Sequence, residues 1–198
     1  MVSVIWLGLC YILGSLPFGI FIAQTFCHID PRQQGSKNIG ATNVSRVCGF
    51  QYGVSVLILD LLKGYIPVML ALKISSSAIF VTLTALAVII GHMYSVFLYG
   101  KGGKGVATTV GVLLGVAPAA AVWAIGICLA VIYLTGFVSL GSLALVSSAP
   151  VIFLLSGKFA YIILTLLIMG LVFWRHEENI HRLLNGEENS WRKQKTAD

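Results

Sequence analysis

The sequence predicts an all-α integral membrane protein, and three observations carry that expectation. Of its 198 residues, 58% are hydrophobic and only 10% are charged, whereas a soluble domain carries about 25% charged residues. Its charge-free stretches are long enough to cross a bilayer, which takes about 20 apolar residues per helix. Glycine, proline and serine clusters punctuate those stretches where turns are needed.

The first stretch, Val2–Phe26, has no basic leading region and no small-residue cleavage site, so it reads as a retained span. Gly14-Ser15-Leu16-Pro17-Phe18-Gly19 interrupts it, and the missing N–H and ring clash of Pro17 predict a kink. Phe50–Leu72 is the second span and carries Asp60 and Lys63, three residues apart. Ionisable groups at that depth are costly and are paired or functional, so a structural pair and a substrate contact both stand as readings. Ser75–Tyr99 is the third span, with Gly91-His92 near its end; His92 reads as a support for the loop that follows.

Net charge is +6, and its placement sets the topology. One island holds Asp30, Arg32, Lys37 and Arg46, a second Lys101 and Lys104, and a third runs from Arg175 to Asp198. The positive-inside rule puts all three in the cytoplasm, with Lys73 and Lys158 outside. Val106 to Trp174 must then make an even number of crossings. Four fit: Val106–Val116, Pro118–Leu134, Phe137–Leu155 and Phe159–Trp174. Val106–Val116 is too short to span alone and reads as a half-helix or a re-entrant segment, tolerated where it lines a cavity. The expectation is a seven-helix bundle with some short spans, forming a single domain over residues 1–198. The N-terminus lies outside and the C-terminus is cytoplasmic. Five spans plus a re-entrant segment is the alternative. Cys10, Cys27, Cys48 and Cys128 follow no metal or disulfide pattern and read as small apolar residues.

Each island carries candidate chemistry. In "HIDPRQQGSKNIGATNVSRVCGF", Gly35 and Gly40 permit close backbone approach. Ser36, Asn38, Thr42 and Asn43 supply neutral donors, and Arg46 lies where a guanidinium can clamp phosphate bidentately; a solvated loop is the alternative. "GKGGKG" matches a dinucleotide fingerprint only by letters, since no strand precedes it and no acidic partner follows. Its successive amides can form an anion nest, and Val106 then opens a helix whose N-terminal dipole favours negative charge; a flexible basic linker is the alternative. "FWRHEENIHRLLNGEE" continues the last span as a helix, with Arg175, Asn179 and Arg182 near one face and His176 a polar site residue. An amphipathic helix that caps the bundle is the alternative there. Ser139 and Ser142 open the sixth span, where most serines bond their own backbone.

"GSKNIGATNVSR", "GHMYSVFLYGKGGKGVAT" and "RHEENIHRLLNGEE" resemble the three cytoplasmic motifs of the PlsY family, the bacterial acyl-phosphate:glycerol-3-phosphate acyltransferases. "GSLPFG" and "LDLLKG" extend the likeness over nearly the whole chain. The resemblance implies acyl transfer from acyl phosphate to the 1-hydroxyl of sn-glycerol 3-phosphate, giving lysophosphatidic acid and phosphate at the bacterial inner membrane. It also implies a soluble partner enzyme that makes acyl phosphate, and neither metal nor cofactor. "GKGGKG" would be the glycerol 3-phosphate loop.

The candidate catalytic residues are Ser36, Asn38, Arg46, Lys104, His176 and Asn179. Candidate substrate contacts are Gly40, Thr42, Asn43, Lys63, Lys101, Gly102, Gly103, Gly105, Ser142, Arg175 and Arg182. No Ser/His/Asp triad pattern is present, and residues five beyond each histidine are Gln33, Phe97, His181 and Gly186, so an HxxxxD pattern is absent too. Direct transfer without a covalent enzyme intermediate is therefore expected. The partners expected are the two substrates and membrane lipid, with no nucleic acid. An organic-anion transporter and a scaffold for lipid synthesis are the rival classes. A transporter site belongs at the midplane on broken helices, whereas the polar residues here concentrate toward one face.

Overall fold

A computed structural model describes residues 2–192. Those residues form helices, 3₁₀ turns and loops, with no strand among them. The end of the third island, residues 193–198, lies outside the described residues. The chain packs as two compact units, Met1–Val116 and Ala117–Asp198.

The first unit begins with α1 (Val2–Ser15) and α2 (Phe18–Cys27). The break falls at Leu16-Pro17, as the proline predicts. Breaking a helix orphans carbonyls, and both find side-chain donors: Ser95 Oγ donates to the Ser15 carbonyl at 2.6 Å and Lys63 Nζ to that of Leu16 at 3.0 Å. The first island is not wholly a loop. It contains α3 (Ala41–Cys48), whose Ala41, Val44 and Cys48 pack on Ile22, Ala23 and Val56. That spacing makes an apolar stripe on a short helix.

Next come α4 (Phe50–Ile74), α5 (Ala78–Met93), a 3₁₀ turn at Val96–Leu98 and α6 (Val106–Val116). Small residues set how these helices approach. Methyl groups on Gly14 and Gly91 would collide with the backbone of Val88 and Tyr11, and methyls on Gly64 and Gly111 with that of Thr108 and Leu61. The pairs α1/α5 and α4/α6 thus meet backbone to backbone, as membrane helices do. Larger side chains such as Leu9, Phe21 and Ile79 face outward. At 11 residues, α6 is about 16 Å long against an apolar core of about 30 Å, so it has the half-length expected.

In the second unit, α7 (Pro118–Thr135) packs on α8 (Val138–Leu155); a 3₁₀ turn at Phe159–Tyr161 leads to α9 (Ile162–Arg175) and α10 (Glu177–Leu184). The last span does not run on as one helix: α9 and α10 meet at His176 with a 65° bend. After α10 the chain returns to the end of α7. Trp191 N and Ser190 Oγ donate to the Gly136 carbonyl, and Arg192 donates to that of Tyr133, closing carbonyls the helix end leaves open.

Among the described residues, five helical segments are long and apolar enough to cross a membrane, counting Ser3–Cys27 as one. The bent α9/α10 pair adds a sixth, and α6 is a shorter apolar helix. The four cysteines are unpaired thiols. Burial, reinforced by the neighbouring Cys27, pushes the Cys48 thiol up to about 12, which disfavours the nucleophilic thiolate.

Candidate active site

The first island is organised by Asn43, which is buried at the start of α3. Its Oδ1 accepts the Ser36 amide at 2.7 Å, and its Nδ2 donates to the carbonyls of Pro31, Gln34 and Asn38. Asn38 Oδ1 accepts the Gly40 amide at 2.8 Å. Asn43 therefore shapes the loop that presents Ser36, rather than offering its own amide to a ligand. Lys37 adopts a left-handed conformation with φ 57°. Arg46 is half-buried in the last turn of α3, where the helix dipole favours a cation, and Thr42 is exposed. Arg32 has its guanidinium on Asp30 at 2.7 Å, and that bond holds the Asp30 carboxyl below its usual range.

The glycine loop differs from the expected nest. The amides of Gly100 and Lys101 donate to Ser95 and Leu98, and those of Gly102 and Gly103 to the carbonyls of Met93 and His92 at 3.1 and 3.0 Å. The physical reason is competition: α5 ends at Met93, its last carbonyls need donors, and the loop supplies them. A methyl on Gly102 would strike the His92 carbonyl, and one on Gly103 the His92 ring. Gly105, at φ 81°, turns the chain into α6. Lys101 is exposed and Lys104 half-buried. The loop is thus a braced basic turn between α5 and α6.

Lys63, a candidate substrate contact, is 2% exposed and paired with Asp60 at 2.8 Å. The structural-pair reading accounts for its position.

In the second unit, His176 fills the α9/α10 break at 3% exposure. Its Nδ1 lies 2.8 Å from the Val172 carbonyl. A carbonyl only accepts, so the neutral ring carries its hydrogen on Nδ1 and has Nε2 as acceptor. Asn179 and Ser139 both donate to Glu188 Oε1, at 2.6 and 2.8 Å, while Arg182 Nε donates to Oε2 at 2.8 Å. Burial works to raise the Glu188 carboxyl, but these three hydrogen bonds and the Arg182 charge outweigh it and hold it below its usual range. Ser142 donates to its own helix at Val138. Arg175 ends α9 and is half-buried.

A family model described as glycerol-3-phosphate acyltransferase matches residues 4–186. This chain belongs to the glycerol-3-phosphate acyltransferase family. A family member from Lawsonia intracellularis is 50% identical over 192 residues, covering 97% of both chains. Two solved structures of the integral membrane glycerol 3-phosphate acyltransferase PlsY are similar as well. Its glycerol 3-phosphate form aligns with TM-score 0.93 at 39% identity, covering 96% of each chain. Its lysophosphatidic acid form aligns with TM-score 0.90 at 38% identity, covering 96% of this chain and 95% of that one.

Within this glycerol-3-phosphate acyltransferase family member, Glu188 is the residue whose placement the sequence hid. Its carboxylate takes hydrogen bonds from Arg182, Asn179 and Ser139 together. A carboxylate shortly after a Gly-marked helix end, facing an arginine and an asparagine, is the signal available.

Proposed function

We propose that this protein transfers a fatty acyl group from acyl phosphate to the 1-hydroxyl of sn-glycerol 3-phosphate, at the cytoplasmic face of a bacterial inner membrane. The observation that carries the reading is the likeness to PlsY, whose structures are in glycerol 3-phosphate and lysophosphatidic acid forms. The three polar islands add chemistry suited to two phosphates.

An acyl phosphate is a mixed anhydride with a good leaving group. The acceptor's hydroxyl oxygen attacks the acyl carbonyl carbon, the acyl C–O bond to phosphate breaks, and the hydroxyl proton leaves with the released phosphate. The protein's task is to hold two anions side by side and to stabilise charge developing on the carbonyl oxygen. Lys101 and Lys104 flank the braced loop and hold the acceptor's phosphate. Arg46 binds the donor's phosphate, with Ser36, Asn38 and Thr42 as neutral donors around it.

His176 Nε2 accepts a hydrogen bond from the attacking hydroxyl, and Asn179, fixed by Glu188, orients the reacting group. The proton goes to a substrate phosphate, whose second pKa is near 6. A backbone carbonyl rather than a carboxylate behind His176 gives an imidazolium no special support, which favours the phosphate as base. The donor implies a soluble enzyme that supplies acyl phosphate. The discriminating experiment offers the purified protein acyl phosphate, acyl-coenzyme A and acyl carrier protein thioester separately. Lysophosphatidic acid should form from the first alone; a thioester working as well as acyl phosphate overturns the donor assignment.

A further inference from the structure

Three ionisable side chains meet inside the first unit, next to the glycine loop. Lys63 Nζ lies 2.8 Å from Asp60 Oδ1, and His92 Nδ1 lies 3.7 Å from the same oxygen. Lys63 is anchored in turn on the Leu16 carbonyl at the proline break and sits over the Phe18 ring. All three side chains are at most 4% exposed.

Charges are expensive inside a span, and apolar side chains of similar volume serve packing as well or better. What apolar groups lack is direction. His92 meets the glycine loop twice. Its carbonyl accepts the Gly103 amide, and its Nε2 edge occupies the space a Gly103 side chain would need. A carboxylate on the Nδ1 side favours hydrogen on that nitrogen, which makes Nε2 the acceptor edge turned to the loop.

We infer that Asp60 and His92 form a positioning pair for the glycine loop, with Lys63 locking Asp60 in place, and that the pair sets how tightly the acceptor's phosphate is held. The inference rests on the proposed reading that this loop takes glycerol 3-phosphate. Neither residue touches substrate. Asp60 orients the ring, the ring and the end of α5 brace Gly102 and Gly103, and the braced turn fixes where Lys101 and Lys104 reach.

The test is steady-state kinetics of the full-length protein in detergent with both substrates varied. His92→Phe and Asp60→Asn should each raise KM for glycerol 3-phosphate by about tenfold or more, with kcat and KM for acyl phosphate within about threefold of the parent. His92→Gln, which carries a polar group near the Nε2 position, should recover most of the loss. The double variant Asp60→Asn/His92→Phe should be no worse than His92→Phe, because coupled residues are not additive. Equal losses on both substrates, additive effects, or no rescue by glutamine would each overturn the inference.

Asp60→Asn strands the Lys63 ammonium and can compromise folding, so Asp60→Leu/Lys63→Met removes both charges together. It should fold and show the same rise in KM for glycerol 3-phosphate; an unchanged KM in that folded protein also overturns the inference. Amide hydrogen exchange of the segment 99–105 without substrate separates this from the function itself. Exchange should be faster in His92→Phe and in Asp60→Leu/Lys63→Met. If the parent never turns over glycerol 3-phosphate, the acyl-transfer reading fails. Exchange then decides alone: faster exchange sustains the positioning pair, and unchanged exchange overturns it.

Discussion

His176 Nδ1 faces the Val172 carbonyl at 2.8 Å across the end of α9, and this one bond fixes which nitrogen can act. Nε2 is the acceptor of the neutral ring, at a bend where the chain turns through 65°. With a substrate phosphate as base, activity rises with pH through about 6 as the dianion forms. His176→Asn should keep that rising limb while its overall rate falls. A general base is worth about 10²–10⁴-fold. A loss of that size, together with disappearance of the limb in a folded His176→Asn protein, assigns the proton to the histidine instead.

Glu188 should govern the acid stability of the second unit. Its folded carboxyl titrates below the usual carboxylate range, so its stabilisation is present above that range and is lost as pH falls through the folded value. Glu188→Gln keeps the shape but turns an amide toward donors. It should cost about 1.5–3 kcal/mol, the size of hydrogen bonds to a charged group, and flatten the acid limb of a melting-temperature profile in detergent. An unchanged limb means that other carboxylates control it.

The glycine loop makes a graded prediction. A methyl on Gly102 meets backbone carbonyls, which cannot yield, while one on Gly103 meets an imidazole, which can. Both alanine variants should raise KM for glycerol 3-phosphate, and Gly102→Ala should raise it further. A change confined to KM for acyl phosphate would assign the loop to the other substrate.

Much of this was legible in the residues. Pro17 breaks the first span where its ring demands, and Gly115-Val116-Ala117-Pro118 ends α6 on time. The helix α3 was harder to see. Ala41, Val44 and Cys48 mark a stripe too short to stand out among Ser, Asn and Thr, and it becomes helical by packing on α2 and α4. The nest failed for a similar reason. Glycine amides are permissive in sequence, but the open end of α5 competes for them, and that competition exists only once the chain turns at Ser95. The bend at His176 was hidden because "RHEENIHRLL" has good helical spacing on both sides of it.

Orientation rests on charge placement alone and is open to a direct check. On a background lacking Cys10, Cys27, Cys48 and Cys128, cysteines at Ser36, Lys101 and Glu178 should react with a membrane-impermeant thiol reagent from the cytoplasmic side only. Labelling of any one from the outside breaks the even-crossing argument.

The most direct measurement uses the purified protein alone in detergent, with acyl phosphate and glycerol 3-phosphate and no second compartment. Lysophosphatidic acid and inorganic phosphate should appear in equal amounts and in step, with no acyl-enzyme trapped on rapid quenching. That result excludes pure transport and pure scaffolding together. Phosphate release without lysophosphatidic acid, or no turnover by a folded protein, would contradict acyl transfer from acyl phosphate.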